Sequence, residues 1–284
     1  MFVALQYLLP HHLLCRLVYA LTRSRTRWFK NLLIDAFMRG YRPDMADAAE
    51  PRPRNYDSFN AFFTRALRPG ARPNPANAQV VASPCDGTLS IAGGMDGTTL
   101  LQAKGHEYTL EALLAGQSDW VARLAGGLYA TIYLAPYNYH RVHMPLAGRL
   151  SAAWHVPGRL FSVNQTTAAR VPGLFARNER VVCAFEGDRG PFAVILVGAL
   201  FVGSMSTVWH QEVTPSRARR GARALVPVTD SALALARGAE LGRFNMGSTV
   251  ILLLPPGAAH WDGSLKPGAM LRVGQRLGQL DTVP

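Results

Sequence analysis

Helical spacing of apolar residues marks the first 40 positions of the chain. The first set is Leu13, Leu14, Leu17, Val18 and Leu21, and the second is Trp28, Phe29, Leu32, Leu33, Ala36 and Phe37. The polar positions between them carry Arg and Lys and few acids. Such a pattern is typical of helices that lie in a membrane interface, and a helical pair packed on the protein's own core is the alternative. The basic polar positions favour the membrane.

A change of composition follows these helices. Residues 42–55, "RPDMADAAEPRPRN", are rich in Pro, Ala and charge, which predicts a linker. The next segment, "YDSFNAFFTRAL", predicts a short helix with Asp57 or Ser58 as its N-cap ahead of three phenylalanines.

From about residue 79 the pattern changes to short apolar runs separated by Gly, Pro and Asn. The runs lie in "QVVASPCDGTLSIAGG", "LYATIYLAPYNYH", "RVVCAFEG", "PFAVILVGALFVGSMSTVW" and "STVILLLPPG". Their length of about five to eight residues and their β-branched content predict strands. One helix interrupts them at "TLEALLAG", with Thr109 as N-cap and Gly116 as terminator.

These elements predict an α+β protein in two parts. Residues 1–55 form a helical membrane-associating segment and a linker. Residues 56–284 form a mostly antiparallel β domain, like a sandwich or a barrel, that carries the chemistry or the binding.

Composition adds a preferred partner. The chain has 284 residues, 49% hydrophobic and 17% charged, and a formal net charge of +12 that comes almost entirely from Arg. A basic excess of this size favours nucleic acid or an anionic membrane surface, because the Arg fork donates paired hydrogen bonds to phosphate. An Arg-rich genome and a soluble basic surface are the alternative explanation.

Cysteine usage and hydropathy exclude several other classes. Three cysteines, Cys15, Cys85 and Cys183, lack CxxC spacing, which argues against a disulfide framework or a zinc knot and for a reducing compartment. The start of the chain lacks the basic region of a secretory signal. No run of 18 apolar residues exists, so we expect no spanning helix.

Two segments carry candidate acid–base residues. Asp86 stands before a glycine in "SPCDGTLS", where Asp-Gly is also a common turn pair. His140 and His143 lie three apart in "YHRVHMP", a spacing that points them to opposite faces of a strand. With no third ligand nearby we expect no metal site, and a single general acid or base fits better. A purely structural role remains open for both segments.

A third segment, "RFNMGSTVILLL", places a small polar triplet at the start of an apolar run. Asp, His and Ser in chain order resemble an acyl-transfer triad, but Ser248 lacks a G-x-S-x-G elbow. The acyl group nearest to its hydroxyl is the carbonyl of Gly247, which no side chain shields. In a strained turn the hydroxyl can attack that carbonyl, and elimination from the resulting ester breaks the chain and leaves a pyruvoyl group.

Seven segments taken together resemble the pyruvoyl-dependent phosphatidylserine decarboxylase family of the bacterial type, which is made as a self-cleaving proenzyme. They are "CDGTLS", "LQAKGHEYTLEALLAG", "YHRVHMPLAG", "VPGRLFSVN", "VPGLFARNERVV", "ILVGALFVGSM" and "GRFNMGSTVI". The resemblance covers the chain from "FNAFFTRALRPGARP" to the last strand. One departure is Met246, where the family usually has Leu before Gly-Ser-Thr; the two side chains are similar in volume and polarity.

The resemblance implies roles for individual residues. Ser248 becomes the pyruvoyl cofactor after cleavage behind Gly247. His143 resembles the catalytic histidine and Asp86 the carboxylate that orients it. Two further residues, His140 and Ser162, match positions that line the substrate pocket.

The resemblance also implies partners and a location. The substrate is phosphatidylserine in an anionic membrane surface, and the protein is peripheral on the cytoplasmic side of the cell membrane. The large chain, 1–247, and the small chain, 248–284, stay together because the strand Val250–Leu254 is embedded in the core. A homodimer is what the resemblance suggests.

Two rival functions remain at this point. A serine hydrolase would use the same Asp86, His143 and Ser248 in one intact chain. A basic module without chemistry would bind a membrane or a nucleic acid. Because no RNP-like, helix-turn-helix or zinc-finger pattern is present, we expect no nucleic-acid partner.

Overall fold

The computed structural model describes residues 2–201, 204–214, 221–225 and 233–282, apart from the side chains of Phe2, Ala4 and Leu5. Three helices open the described chain, of which the second and third are the longest, and five short helices follow. They are α1 (Phe2–Leu8), α2 (His11–Thr22), α3 (Arg27–Tyr41), α4 (Phe59–Phe63), α5 (Leu110–Leu113), α6 (Ser118–Leu124), α7 (Gln165–Ala168) and α8 (Leu174–Arg177).

The rest of the described chain is rich in short strands. They are β1 (Val80–Ala82), β2 (Gly87–Gly94), β3 (Thr99–Leu101), β4 (Glu107–Thr109), β5 (Leu128–Leu134), β6 (Arg141–His143), β7 (Gly148–Val156), β8 (Arg180–Gly187), β9 (Gly190–Val197), β10 (Met205–Thr207), β11 (Gln211–Glu212), β12 (Arg223–Ala224), β13 (Ala234–Leu235), β14 (Glu240–Phe244), β15 (Ser248–Leu254), β16 (Ala259–Trp261), β17 (Met270–Leu271) and β18 (Arg276–Leu280). The apolar run predicted over 191–209 contains two of them, β9 and β10, and residues 202 and 203 between them lie outside the described residues.

Nine strands form the main sheet in the order β12-β7-β8-β9-β15-β5-β2-β17, with β13 beside β7. Smaller sheets have the orders β11-β10-β14-β6, β1-β18-β16 and β3-β4, and every pair of strands is antiparallel. The α+β prediction is therefore confirmed. Within the described residues the main sheet is open rather than closed into a barrel, because β12 and β17 end it without pairing to each other.

Local sequence signals account for the short helices. The hydroxyl of Ser58 accepts a hydrogen bond from the Ala61 N–H at 3.1 Å, so Ser58 is the N-cap of α4. Thr109 does the same for α5 by accepting from the Ala112 N–H at 3.2 Å. Gly116 follows α5 with a φ of +77°, the left-handed conformation that glycine adopts most readily. The predicted caps and terminator are confirmed.

Two apolar clusters meet beside the start of β15. The large one surrounds β15, whose seven residues are all buried. The small one joins α3 to α4 through Ile34, Phe37, Phe59, Phe62 and Phe63. Met246 packs against both clusters, so the helical region is fastened to the sheet at the residue that precedes Gly247.

The segment 42–55 is mostly exposed but contacts its neighbours at several points. Ala48 is buried and forms a β-bridge with Leu67. Near the end of the segment the Arg54 carbonyl accepts a hydrogen bond from the Lys30 ammonium at 2.7 Å. These contacts join α3 to the rest of the chain.

Helices α1 to α3 turn much of their apolar surface outward. Besides Tyr7 and Tyr41, the large exposed apolar residues of these helices are Leu8, Leu13, Leu17, Leu21, Trp28 and Leu32, and we call these six the exposed apolar face. The residues that α2 buries are His11, Cys15 and Thr22. Among the residues that the structure describes, no helix is both long and apolar enough to cross a bilayer.

Candidate active site

Ser248 is the first residue of β15, the strand between β9 and β5. Its backbone lies opposite Leu134 of β5. The side chain is fully buried, and its hydroxyl has no hydrogen-bond partner. Because a buried polar group without a partner costs stability, an orphaned hydroxyl at this position needs a reason other than folding.

Gly247 lies directly before this hydroxyl. Its φ is outside the left-handed region, so the backbone conformation there does not itself require glycine. A Cβ added at Gly247 would lie 3.6 Å from the Leu134 carbonyl oxygen and 3.9 Å from His140 Nε2, which are ordinary van der Waals distances. Glycine therefore leaves open the space between the peptide bond and the imidazole of His140.

The imidazole of His140 is completely buried and held in one orientation. Its Nδ1 donates a hydrogen bond to the Asn138 carbonyl at 2.9 Å, and its ring packs on Phe63 with centroids 4.2 Å apart. Nε2 therefore carries the lone pair, and it has no partner. Burial lowers the pKa of His140 to about 3, so the ring is neutral at physiological pH.

His143 lies in different surroundings at the end of β6. Its Nδ1 donates to the Gly238 carbonyl at 2.8 Å, so its Nε2 accepts the hydrogen bond from the Tyr139 hydroxyl at 3.0 Å. Burial lowers the pKa of His143, and the negative charges of Glu240 and Asp86 oppose that shift. The ring is thus held as a neutral acceptor.

Asp86 is bound by an arginine that the sequence did not single out. Arg72 donates to both carboxylate oxygens at 2.5–3.2 Å, and the Val273 N–H donates to Oδ1 at 2.8 Å. Another nitrogen of Arg72 contacts Asp47 at 2.8 Å. Asp86 and His143 are not hydrogen-bonded to each other in this structure, and neither are His143 and Ser248.

Two cavities are lined by four of the six predicted residues, and His140 and His143 line neither of them. A cavity of about 360 Å³ has Gly247 and Ser248 in its wall together with Ser162, and Phe37 and Tyr41 of α3 form another part of the wall. Asp86 lines a second cavity with Arg65 and Tyr139. The structure therefore brings Ser162 to the Gly247–Ser248 junction and puts His140 against that junction. Asp86, directly before β2, and His143, at the end of β6, lie outside this group.

Arg72 and Tyr139 are the functional candidates that sequence reasoning missed. Tyr139 opens the segment "YHRVH", four residues before His143. A hydroxyl at that spacing could have been predicted from the sequence as a partner of His143. Arg72 is one of many arginines and contacts Asp86 across 14 positions of chain, beyond the reach of any helix or strand periodicity. Nothing in the spacing of the sequence separates it from the others.

These observations define an α+β protein whose central antiparallel strand begins with a buried, unpartnered serine hydroxyl behind a glycine. The family model described as "Phosphatidylserine decarboxylase" matches residues 59–279, and one described as "PSD" matches residues 1–42. The chain belongs to the phosphatidylserine decarboxylase family.

Curated relatives extend this similarity over nearly the whole chain. The phosphatidylserine decarboxylase proenzyme of Methylococcus capsulatus is 50% identical and that of Ectopseudomonas mendocina is 49% identical. The alignments cover 98% of this chain and 96% and 97% of the two relatives. A proenzyme of Pseudomonas putida is also 49% identical, with 98% and 96% covered. The resemblance inferred from the sequence is confirmed.

Proposed function

We propose that this chain is the proenzyme of a pyruvoyl-dependent decarboxylase that converts phosphatidylserine to phosphatidylethanolamine at a membrane surface. The observation that carries the proposal is the Gly247–Ser248 junction: an orphaned, buried hydroxyl stands beside an unshielded peptide bond in the wall of a cavity. The family membership and the proenzyme names of the relatives supply the reaction.

Maturation begins with the hydroxyl of Ser248. Its oxygen attacks the carbonyl carbon of Gly247 while a neutral imidazole takes the hydroxyl proton. The imidazole returns that proton to the amide nitrogen, which leaves as an amine, and the serine oxygen now holds the Gly247 acyl group as a backbone ester. Removal of the Ser248 Cα proton then breaks the Cβ–O bond, which leaves a carboxylate on Gly247 and dehydroalanine at 248. Water converts dehydroalanine to a pyruvoyl group and ammonia. The products are the chains 1–247 and 248–284.

Two imidazoles are available for the proton transfers. The resemblance assigns the base to His143, whose tautomer is fixed by the Gly238 carbonyl and whose Nε2 meets the Tyr139 hydroxyl. The charge of Asp86 favours the protonated form of His143. His140 offers a second unprotonated Nε2 next to Gly247, in keeping with a residue that lines the substrate site.

The pyruvoyl group fits this position. When it has formed, its ketone supplies the electron sink for loss of carbon dioxide. Ser162 and the aromatic side chains of α3 border the space that the serine headgroup would enter. The strand β15 keeps the small chain in place, because its residues pair with both β5 and β9.

We further propose that α1 to α3 bind the bilayer from the cytoplasmic side. The exposed apolar face supports this, because large apolar side chains exposed together on a helical surface mark an interaction site. Exposed Arg16, Arg25 and Arg27 add attraction to anionic lipid. Two further basic residues of this region are paired within the protein: Arg23 forms an ion pair with Glu212, and Lys30 donates a hydrogen bond to the Arg54 carbonyl.

The test is intact-mass spectrometry of the purified protein, followed by a decarboxylation assay on phosphatidylserine vesicles. The proposal predicts two chains, a small chain with a blocked N-terminus that reacts with borohydride in the presence of an amine, and release of carbon dioxide. A single intact chain that labels with a fluorophosphonate at Ser248 would instead identify a serine hydrolase and reject the proposal.

A further inference from the structure

The first two helices have a second face that is buried and polar. Leu8, Leu13 and Leu17 are exposed, whereas Gln6 and His11 on the same two helices are almost completely buried. A helix that served only as a membrane anchor would have no use for buried polar side chains, because each must find a partner. The hydrogen-bond partners of the Gln6 and His11 side chains lie in the loop between β7 and α7 and in α7 itself.

Gln6 holds the middle of that loop. Its side-chain carbonyl oxygen accepts a hydrogen bond from the Ser162 N–H at 2.8 Å. Its amide nitrogen lies 3.5 Å from the hydroxyl of Thr167 in α7. The bond to Ser162 spans 156 positions of sequence and is the direct link between α1 and a residue that lines the cavity at Ser248.

Neighbouring residues reinforce the same contact. The Leu160 N–H donates to His11 Nδ1 at 3.3 Å. The ring of Phe161 packs against Tyr7 with centroids 4.9 Å apart and against His11 at 5.2 Å. Between these contacts, the Phe161 N–H donates a hydrogen bond to the side chain of Asn178, directly after α8. Leu160 and Ser162 are thus bound by the N-terminal helices, and Phe161 between them is bound by Asn178.

No strand pairing fixes this part of the loop. Residues 160–163 have no regular secondary structure, yet Ser162, Val163 and Asn164 line the cavity with Gly247 and Ser248. A loop without its own backbone ladder depends on side-chain partners for its position. Without Gln6, the Ser162 N–H would lose the hydrogen bond that fixes the position of residues 162–164 in the cavity wall.

We propose that Gln6 is a positioning residue for the substrate loop 160–164, so that the helices which contact the membrane also shape the cavity at Ser248. The proposal rests on the proposed function for the identity of the substrate. Its structural content, the dependence of the loop on Gln6, is independent of that function. Binding of α1 and α2 to a bilayer then stabilises the loop in the position that admits a serine headgroup.

The first experiment measures hydrogen exchange of the full-length protein and of its Gln6→Met variant. Methionine keeps the length of the side chain and removes the hydrogen-bond acceptor. We expect amide exchange in a peptide covering 158–168 to rise about tenfold, with no change in a peptide covering β15. The matched control is Gln117→Met, the same change at an exposed residue. Unchanged exchange at 158–168 in Gln6→Met would overturn the proposal, whatever the protein's activity.

The second experiment measures steady-state kinetics on a soluble short-chain phosphatidylserine. In Gln6→Met we expect complete cleavage at residue 248, a KM about fivefold higher and a kcat within about twofold of the wild type, which is the effect of losing one neutral hydrogen bond. Flotation with vesicles should not change. Loss of cleavage together with activity would mean that Gln6 serves folding only and would overturn the positioning role. A wild-type protein that does not decarboxylate would reject the proposed function and leave the exchange result to decide the inference.

Discussion

The imidazole of His140 and the backbone of Gly247 face each other with no side chain between them: Nε2 lies 3.9 Å from the point where a Cβ on Gly247 would stand. The lone pair on Nε2 has no hydrogen-bond partner, and the φ of Gly247 does not demand glycine. Access to its carbonyl, the reason for glycine at 247 that the sequence suggested, is therefore sufficient, and a left-handed backbone conformation is not needed.

Gly247→Ala tests this explanation. The added methyl meets only ordinary contacts, so the variant should fold, with stability equal to the wild type or higher by up to about 1 kcal/mol. The methyl crowds the carbonyl carbon that the serine must reach, and we expect the cleavage rate to fall by about 10²-fold. The measurement is the fraction of split chain over time by gel electrophoresis, with thermal unfolding alongside. Equal cleavage rates would refute the access argument.

Ser248→Ala should separate maturation from folding. The variant loses the nucleophile and must remain one chain by intact-mass measurement. Because the wild-type hydroxyl is buried without a partner, its removal should stabilise the uncleaved chain by about 1 kcal/mol. Thr131→Val, which removes a buried hydroxyl from the neighbouring strand β5, is the control and should be cleaved like the wild type. A destabilised, uncleaved Ser248→Ala variant would mean that the hydroxyl serves folding.

The sequence predicted local structure better than the site. Ser58 and Thr109 could be identified as caps because a cap bonds to a residue three positions away. The strand beginning at Ser248 was visible in its own apolar run. The contact between Arg72 and Asp86, by contrast, is formed by the tertiary fold, and no periodicity of the sequence predicts it. The same holds for Gln6, whose partner in the loop is 156 residues away.

The resemblance implies that Asp86, His143 and Ser248 act together in self-cleavage, and in this structure no two of them are hydrogen-bonded to each other. Chain order supplied the residue types, but hydrogen-bond partners are set by tertiary approach. Asp86 bonds to Arg72, and His143 bonds to the Gly238 carbonyl. Whether these residues act in cleavage remains a prediction from the resemblance, and single substitutions assayed for cleavage and then for decarboxylation decide it.

Removal of Arg72 should destabilise the protein more than removal of Asp86. Arg72→Ala strips a partner from both Asp47 and Asp86, and an uncompensated buried charge costs roughly 3–5 kcal/mol. Asp86→Ala leaves Arg72 paired with Asp47, so we expect a smaller loss. Urea unfolding of both variants measures the difference. The more exposed Arg68, which also contacts Asp47, supplies the control Arg68→Ala. A larger loss for Asp86→Ala would contradict this account of the ion-pair network.

Stability should fall as the pH drops below about 6.5, the usual range of histidine. The folded protein holds His140 neutral with a pKa of about 3, whereas the unfolded chain takes up a proton near 6.5. Between these pH values the unfolded state binds more protons than the folded state. The free energy of unfolding therefore rises with increasing pH and falls on acidification. Burial lowers the pKa of His143 and His11 as well, which adds to the same trend.

His140→Phe should flatten that dependence. The ring of phenylalanine fills the space on Phe63 without a titratable group. We expect the difference in the free energy of unfolding between pH 7 and pH 5 to shrink by about 2 kcal/mol, because about 1.5 pH units of that interval lie below the unfolded pKa and each contributes about 1.4 kcal/mol. Guanidinium unfolding at several pH values measures it, with His12→Phe at an exposed position as the control. An unchanged slope would show that His140 does not contribute to acid sensitivity.

Membrane binding should depend on the exposed apolar face rather than on the presence of the helices alone. A chain that starts near Tyr56 would lose flotation, but it would also lose Phe37 from the cluster beside Met246, so point substitutions are cleaner. We expect Leu13→Ser with Trp28→Ser to lower the fraction that floats with anionic vesicles about tenfold or more, because two exposed side chains no longer insert.

The control for that experiment is Leu101→Ser, which removes an exposed apolar residue from β3 of the body. It should float like the wild type. High salt should weaken binding of the wild type to anionic vesicles, because Arg16, Arg25 and Arg27 contribute about 1 kcal/mol each near such a surface and salt screens that attraction. Equal flotation of the double variant and the wild type would place the membrane contact elsewhere, whereas cleavage at residue 248 in the double variant should proceed normally since neither residue touches the junction.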